Sequence, residues 1–270
     1  MQIQPLTAQL DIQRLDLVHP YISGNKFYKL KYNLIEAQAQ QFKGVLTFGG
    51  AYSNHIAATA YAAHHYGLNS IGIIRGDELK DAPLNPTLAN ATRLGMQLIF
   101  VSRQTYKQRH EPNFLEQLQQ QYPQYYLIPE GGTNALAIQG CKEILPYECN
   151  YDYICCAVGT GGTITGLIES TDAHIIGFSA LKGIAFNLNT QKKNWHITDN
   201  YACGGYAKMT PELREFIQKF EQQYDVLLDP VYTAKMMYGI DDLFKKGYFQ
   251  PNDRVLAIHT GGLQGRHSLI

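Results

Sequence analysis

Along most of the chain, short apolar runs alternate with longer stretches whose apolar positions recur every three or four residues. Residues 45–48, 70–74, 97–101, 125–128, 153–158, 175–178 and 254–258 read as strands. Residues 53–66, 85–94, 112–121, 134–145, 211–224 and 233–246 read as helices between them. The first of these helices is rich in the best helix former, with Ala57, Ala58, Ala60, Ala62 and Ala63. Pro211 opens another, at a position where its missing donor costs nothing. Strands alternating with helices predict βαβ units and parallel sheet. Residues 182–205 are polar and poorly periodic, and read as a long loop.

A helix also begins near Gly24-Asn25-Lys26, with Phe27, Leu30, Leu34 and Ala37 on one face. Lys26 shares that face with Leu30 and Leu34, whereas Lys29 and Lys31 point elsewhere and read as solvated. A lysine aimed inward is costly unless partnered. Desolvation and the positive helix terminus lower its pKa toward a neutral, nucleophilic amine. On position alone, a lysine that caps the helix and snorkels to water remains the competing reading.

Gly159-Thr160-Gly161-Gly162-Thr163 follows the 153–158 strand and opens a helix. Backbone N–H groups, two threonine hydroxyls and the helix dipole together suit a phosphate. A tight turn with no ligand is the alternative. No P-loop sequence occurs, and Ile164 stands where a dinucleotide fingerprint needs its third glycine. A single phosphate on a compact cofactor therefore fits better than a nucleotide. Ser53, Asn54 and His55 stand between a strand and the alanine helix, where they suit either an N-cap or a carboxylate. Glu130 to Asn134 form a second such turn, and His259-Thr260-Gly261-Gly262 end the last strand. The carboxyl ends of parallel strands are where such sheets bind ligands. The nine histidines show no H-E-x-x-H or comparable spacing, so no metal is expected, and no G-x-S-x-G elbow occurs.

Composition narrows the class. The 270 residues are 45% hydrophobic and 17% charged, as in a globular chain. Lys plus Arg and Asp plus Glu both number 23, which offers no electrostatic footprint for nucleic acid or an anionic membrane. No apolar stretch is long enough to span a bilayer, and the first residues lack the pattern of a signal peptide. Five cysteines without C-x-x-C argue against a disulfide framework or structural zinc and for the cytoplasm.

Six motifs then fall in order: Ser23 to Lys26, Gly49 to His55, Pro129 to Asn134, Val158 to Thr163, Asp229 to Thr233, and His259 to Gly262. The series resembles the 1-aminocyclopropane-1-carboxylate deaminase/D-cysteine desulfhydrase family of pyridoxal-phosphate enzymes, fold type II (tryptophan synthase β-like), over nearly the whole chain. The resemblance implies an α/β protein of two three-layer domains with mostly parallel sheets and pyridoxal 5'-phosphate in the cleft between them. It implies a larger cofactor-binding domain of residues 1–39 plus 131–270 and a smaller inserted domain of residues 40–130. Residues 11–20 stand where the family has a longer segment.

By the same resemblance, Lys26 anchors the cofactor as a Schiff base, and Gly159, Thr160, Gly161, Gly162 and Thr163 hold its phosphate. Asn54 contacts the ring hydroxyl, Thr260 faces the pyridine nitrogen, and Ser53, Asn54 and His55 meet the substrate carboxylate. Ser53, Tyr206 and Tyr232 join Lys26 as catalytic residues, and the assembly is a homodimer acting on a small amino acid. Deaminases of the cyclopropane substrate resemble Ser-Asn-Gln, Tyr-Glu and His-Leu-Gly-Gly at three of these places. Here His55, Thr233 and Thr260 resemble the desulfhydrase branch. Without a glutamate at the ring nitrogen the electron sink is weaker. A weak sink suffices for a good β-leaving group better than for an unactivated cyclopropane. The expected reaction is α,β-elimination to a 2-oxo acid and ammonia. Ring-opening deamination to 2-oxobutanoate is the alternative, and a non-catalytic binder of a phosphorylated metabolite is the remote one.

Overall fold

The computed structural model describes residues 2–268, without the side chains of 265, 267 and 268. The chain opens with strands β1 (Ile3–Pro5) and β2 (Leu10–Arg14) and enters helix α1 (Asn25–Ala39). There follow β3 (Gly44–Gly49), α2 (Asn54–His65), β4 (Asn69–Arg75), α3 (Pro86–Arg93), β5 (Met96–Val101), α4 (Arg103–Lys107), α5 (Pro112–Gln121), β6 (Tyr125–Leu127) and α6 (Ala135–Cys141). The remainder is β7 (Tyr153–Val158), α7 (Gly162–Ser170), β8 (His174–Ser179), β9 (Trp195–Thr198), α8 (Pro211–Tyr224), α9 (Thr233–Lys245) and β10 (Val255–His259).

Local chemistry sets several of these boundaries. Asn85 and Thr210 cap α3 and α8, accepting from the N–H groups of Leu88 and Leu213, and a proline follows each cap. α8 then runs Leu213, Ile217, Phe220 along its buried face, the three-to-four spacing of an amphipathic helix.

The chain divides into two compact units, one of residues 1–25 with 141–270 and the other of residues 26–140. These bounds differ from the expected 1–39 with 131–270 and 40–130, because α1 and the segment around 131–140 pack on each other. Lys29 Nζ donates to the Gly131 carbonyl and to Thr133 Oγ1, and Asn33 and Asn134 exchange side-chain hydrogen bonds. A Cβ on Gly140 would stand 2.0 Å from the Tyr28 carbonyl oxygen, so backbone meets backbone there.

The smaller unit holds a fully parallel sheet in the order β5-β4-β3-β6. Leu46, Phe48, Ile71 and Ile73 face α4 and α5 through Tyr106 and Leu118. Ile74 and Met96 pack with Ile56 and Ala60 of α2 and Leu88 and Ala91 of α3. Helices on both faces make three layers.

The larger unit holds six strands in the order β1-β2-β10-β7-β8-β9, parallel except for the β1–β2 pair. One face (Ile12, Cys155, Ala157, Ile176, Phe178, Val255, Ala257) packs on Leu213, Ile217 and Phe220 of α8 and Ala234, Met237 and Ile240 of α9. On the other, a Cβ on Gly177 would meet Ile164 of α7 at 2.6 Å. Both faces of the sheet are therefore covered, which is why its central strands are continuous apolar runs.

β9 lies inside the segment expected to be loop. It pairs with β8 along Ile175↔Trp195 to Phe178↔Thr198. It is an edge strand whose four residues are all half-buried, so it lacks the alternation that marks a strand in sequence. Among the described residues no helix is long and apolar enough to cross a membrane, and no three His, Cys, Asp or Glu side chains cluster as metal ligands. The five cysteines form no disulfide with one another.

Candidate active site

In the larger unit the site is built from three strand ends. β7 runs into the Gly159–Thr163 loop, and α7 starts at Gly162. Gly161 caps α7 in the left-handed region (φ 85°) with no side-chain cap, which leaves the helix N-terminus to an external acceptor. Thr163 is buried, and its Oγ1 accepts from Asn25 Nδ2 at 2.8 Å. The Asn25 N–H donates to the Thr260 carbonyl at 3.1 Å, at the end of β10. Gly24 makes this approach feasible: a Cβ there would lie 1.9 Å from the same carbonyl oxygen. Asn25 thus ties the glycine loop to the end of β10, and its peptide neighbour is Lys26.

Below Thr260 is a buried polar cluster. His259 Nε2 donates to the Leu227 carbonyl at 2.7 Å, and Nδ1 accepts from the Gly261 N–H at 3.2 Å. Nδ1 also lies 3.2 Å from Asp16 Oδ1. Burial pushes the His259 pKa down, and nearby Asp16 opposes the shift only in part. Asp16 itself is gripped by the Arg14 guanidinium, with Nε to Oδ1 at 2.9 Å and Nη2 to Oδ2 at 2.7 Å.

The two tyrosines come together on the same unit. The Tyr232 ring packs on Gly159, whose added Cβ would meet Cε1 at 3.1 Å. Tyr206 stands edge-on to Tyr232, with centroids 6.2 Å apart, and is half exposed. Thr233 is fully buried, and its hydroxyl accepts from the Asp229 N–H (2.7 Å) and donates to the Asp229 carbonyl (3.2 Å). It thereby holds the turn that opens α9.

In the smaller unit, Ser53 caps α2 by accepting from the Ile56 N–H at 3.3 Å. Asn54 is half-buried, and its Oδ1 is buried without a hydrogen-bond partner among the described residues. His55 is buried, with Nε2 2.8 Å from Thr47 Oγ1. Thr47 gives its one proton to the Ile128 carbonyl (2.8 Å), so Nε2 of His55 is the donor to Thr47. Burial first, then the Lys26 and Lys29 ammonium groups, hold its pKa well below the ordinary 6.5, and the Pro129 carbonyl only partly offsets them. His55 is therefore a neutral imidazole beside two lysines. Lys26 is half-buried at the start of α1. Lys29 is not solvated: it is 2% exposed and bound to the 131–133 turn. Unit by unit, the structure brings Lys26 and His55 together, and Gly159–Thr163, Thr260, Tyr232 and Tyr206 together.

A family model described as pyridoxal-phosphate dependent enzyme matches residues 13–261. The chain belongs to the pyridoxal-phosphate-dependent enzyme family. A bifunctional D-cysteine desulfhydrase/1-aminocyclopropane-1-carboxylate deaminase, mitochondrial, of Arabidopsis thaliana is 32% identical over 98% of this chain and 75% of its own. A Thermotoga maritima protein named as a candidate 1-aminocyclopropane-1-carboxylate deaminase is 32% identical over 94% of this chain and 88% of its own. A crystal structure of an ACC deaminase homologue matches with a TM-score of 0.79 at 27% identity, over 97% of this chain and 89% of that one. Serine racemase from Dictyostelium discoideum, at 18% identity and a TM-score of 0.66 over 94% of this chain and 86% of that one, shares the fold. Fold type II and the deaminase/desulfhydrase group of the pyridoxal-phosphate family are thereby established for this chain.

The residues present fit the family's cofactor. An uncapped helix terminus with a left-handed glycine suits a phosphate, and the buried, unpartnered Asn54 Oδ1 suits a hydroxyl donor such as the ring's. Asn25 is a site residue that pattern reading passes over. Its only signal in sequence is its place between Gly24 and Lys26, because both of its partners lie far along the chain.

Proposed function

We propose that this pyridoxal-phosphate enzyme catalyses α,β-elimination on a small amino acid with a good β-leaving group. D-cysteine with water would give pyruvate, ammonia and hydrogen sulfide. The observation that carries this reading is the neutral end of β10. Thr260 closes the strand, burial favours the neutral form of His259 beneath it, and the nearby carboxylate, Asp16, is shared between Arg14 and His259 Nδ1. With no acid to protonate a ring nitrogen placed there, the weaker electron sink favours departure of a good leaving group.

Lys26 would anchor the cofactor, Gly159–Thr163 its phosphate, Asn54 its ring hydroxyl and Thr260 its ring nitrogen. When bound, the cofactor supplies the sink for the electrons left at Cα. Ser53 and Asn54 at the α2 terminus, with His55, would orient the substrate carboxylate, and helix N–H groups favour an anion there. Because His55 is neutral, the positive potential at that end comes from Lys26 and Lys29. The Lys26 amine, or the phenolate form of Tyr206 or Tyr232, would take the Cα proton, and the protonated group would return it to the departing sulfur. Ser53 would assist these transfers.

Ring opening of 1-aminocyclopropane-1-carboxylate is the second reading, favoured by the names of the Arabidopsis and Thermotoga relatives. We also take the working form to be a homodimer, on the family resemblance, and its compartment to be the cytoplasm, since five cysteines without C-x-x-C suit a reducing compartment. A panel of D- and L-amino acids scored for 2-oxo acid release tests the reaction. Release from β-substituted substrates is expected, and release from none of them would end this reading.

A further inference from the structure

A buried lysine lies behind the turn that carries Tyr206. Lys235, three residues into α9 from Tyr232, is 1% exposed. Its Nζ donates to the Ala202 carbonyl at 2.7 Å and to the Gly205 carbonyl at 2.6 Å. A buried ammonium needs such partners, and here both come from one short segment.

The two carbonyls occupy equivalent places. Ala202 O also accepts from the Gly205 N–H (2.9 Å), and Gly205 O from the Lys208 N–H (3.1 Å). They are thus the first residues of two successive β-turns, 202–205 and 205–208, and Lys235 bridges both. The segment is unfavourable by itself. Cys203 (φ 49°) and Ala207 (φ 54°) take left-handed conformations that side chains disfavour, on either side of Gly204 (φ 88°) and Gly205 (φ 104°). Such a conformation persists where its surroundings over-determine it. Tyr206 is the second residue of the second turn, so its direction depends on both turns holding. The ring it meets, Tyr232, is fixed from the same helix end, since the Tyr232 N–H donates to Asp229 Oδ1 at 2.6 Å. Burial lowers the Lys235 pKa, and Cys203 and Asp229 oppose that shift only in part.

We infer that Lys235 is a positioning residue. Its ammonium locks the paired turns of residues 202–208 so that Tyr206 stands against Tyr232 beside the glycine loop. This rests on the proposed reading that Tyr206 takes part in the reaction.

The test is a double-mutant cycle on the cofactor-loaded enzyme with Lys235→Met and Tyr206→Phe, reading kcat, KM and visible cofactor absorbance separately. Lys235→Met is expected to lower kcat about ten- to a hundredfold, the scale of a small misplacement of a reacting group. KM and absorbance should stay near those of the parent. In the Tyr206→Phe background the same substitution is expected to lower kcat less than about twofold, because the two changes remove one function. Lys235→Arg, which keeps the charge and donors, should recover most of kcat. Should Lys235→Met not fold, Lys235→Gln carries the same cycle, since its amide replaces only part of the clamp. An equal loss with and without the Tyr206 hydroxyl would overturn the inference. An unimpaired Tyr206→Phe enzyme would instead overturn the reading of Tyr206 itself.

Discussion

Lys26 stands at the head of α1, within electrostatic reach of His55, an imidazole that burial first and then the Lys26 and Lys29 charges keep neutral. For Lys26 the expected outcome is a pyridoxyl adduct on that residue after borohydride reduction and peptide mapping. Lys26→Ala should lose about a hundred- to ten-thousandfold in kcat, the range for a missing proton-transfer group. An adduct on another lysine, Lys29 included, would refute the assignment. For His55 the sign follows from its lowered pKa. The unfolded chain takes up a proton below about pH 6.5 that the folded site refuses, so its stability is full above that pH and falls as pH drops. The limit is about 1.4 kcal/mol per pH unit for one histidine. Denaturation series at pH 7.5 and 5.5, run on the parent and on His55→Gln, should show a shallower pH dependence in the variant; equal dependences would refute a neutral His55. Lys26 and the three polar residues at the α2 terminus could be singled out in sequence because each stands in a short motif. The burial of Lys29 was not, since its carbonyl partner at Gly131 is brought in only by the fold.

At the scale of elements, the join between α1 and the end of β10 carries the most consequence. Gly24 is left-handed (φ 71°) and backs directly onto the Thr260 carbonyl. Gly24→Ala should cost about 1–2 kcal/mol for the backbone alone, and more for the clash. The displaced Asn25 would release Thr163, so the variant should melt earlier and retain less cofactor on dialysis. Asn25→Ala should lose about 1 kcal/mol, the net worth of a typical hydrogen bond, and share the cofactor defect with less effect on melting. A Gly24→Ala protein with normal cofactor content would show that the join does not support the glycine loop. Elements with strong local signals were legible: α8 is bounded as its cap, proline and apolar stripe predict. β1, β2 and β9 were not. The first two are short, and β9 is a half-buried edge, so each is defined by its pairing partner and not by its own pattern. The use of the Thr233 hydroxyl within its own turn was likewise invisible in sequence, because it depends on the local backbone geometry at Asp229.

For the whole molecule, βαβ alternation led directly to two parallel, helix-covered sheets, but the passage of α1 into the smaller unit depended on packing that no periodicity encodes. In the proposed function, what the assembled chain does turns on the strength of its electron sink, which the threonine end of β10 would set with His259 behind it. The most direct measurement is kcat/KM on one preparation of known cofactor content, for D-cysteine or β-chloro-D-alanine and for 1-aminocyclopropane-1-carboxylate. β-Elimination should be at least about tenfold faster, a barrier difference of about 1.4 kcal/mol. Ring opening as fast as elimination, or faster, would contradict the link between that neutral strand end and the choice of reaction.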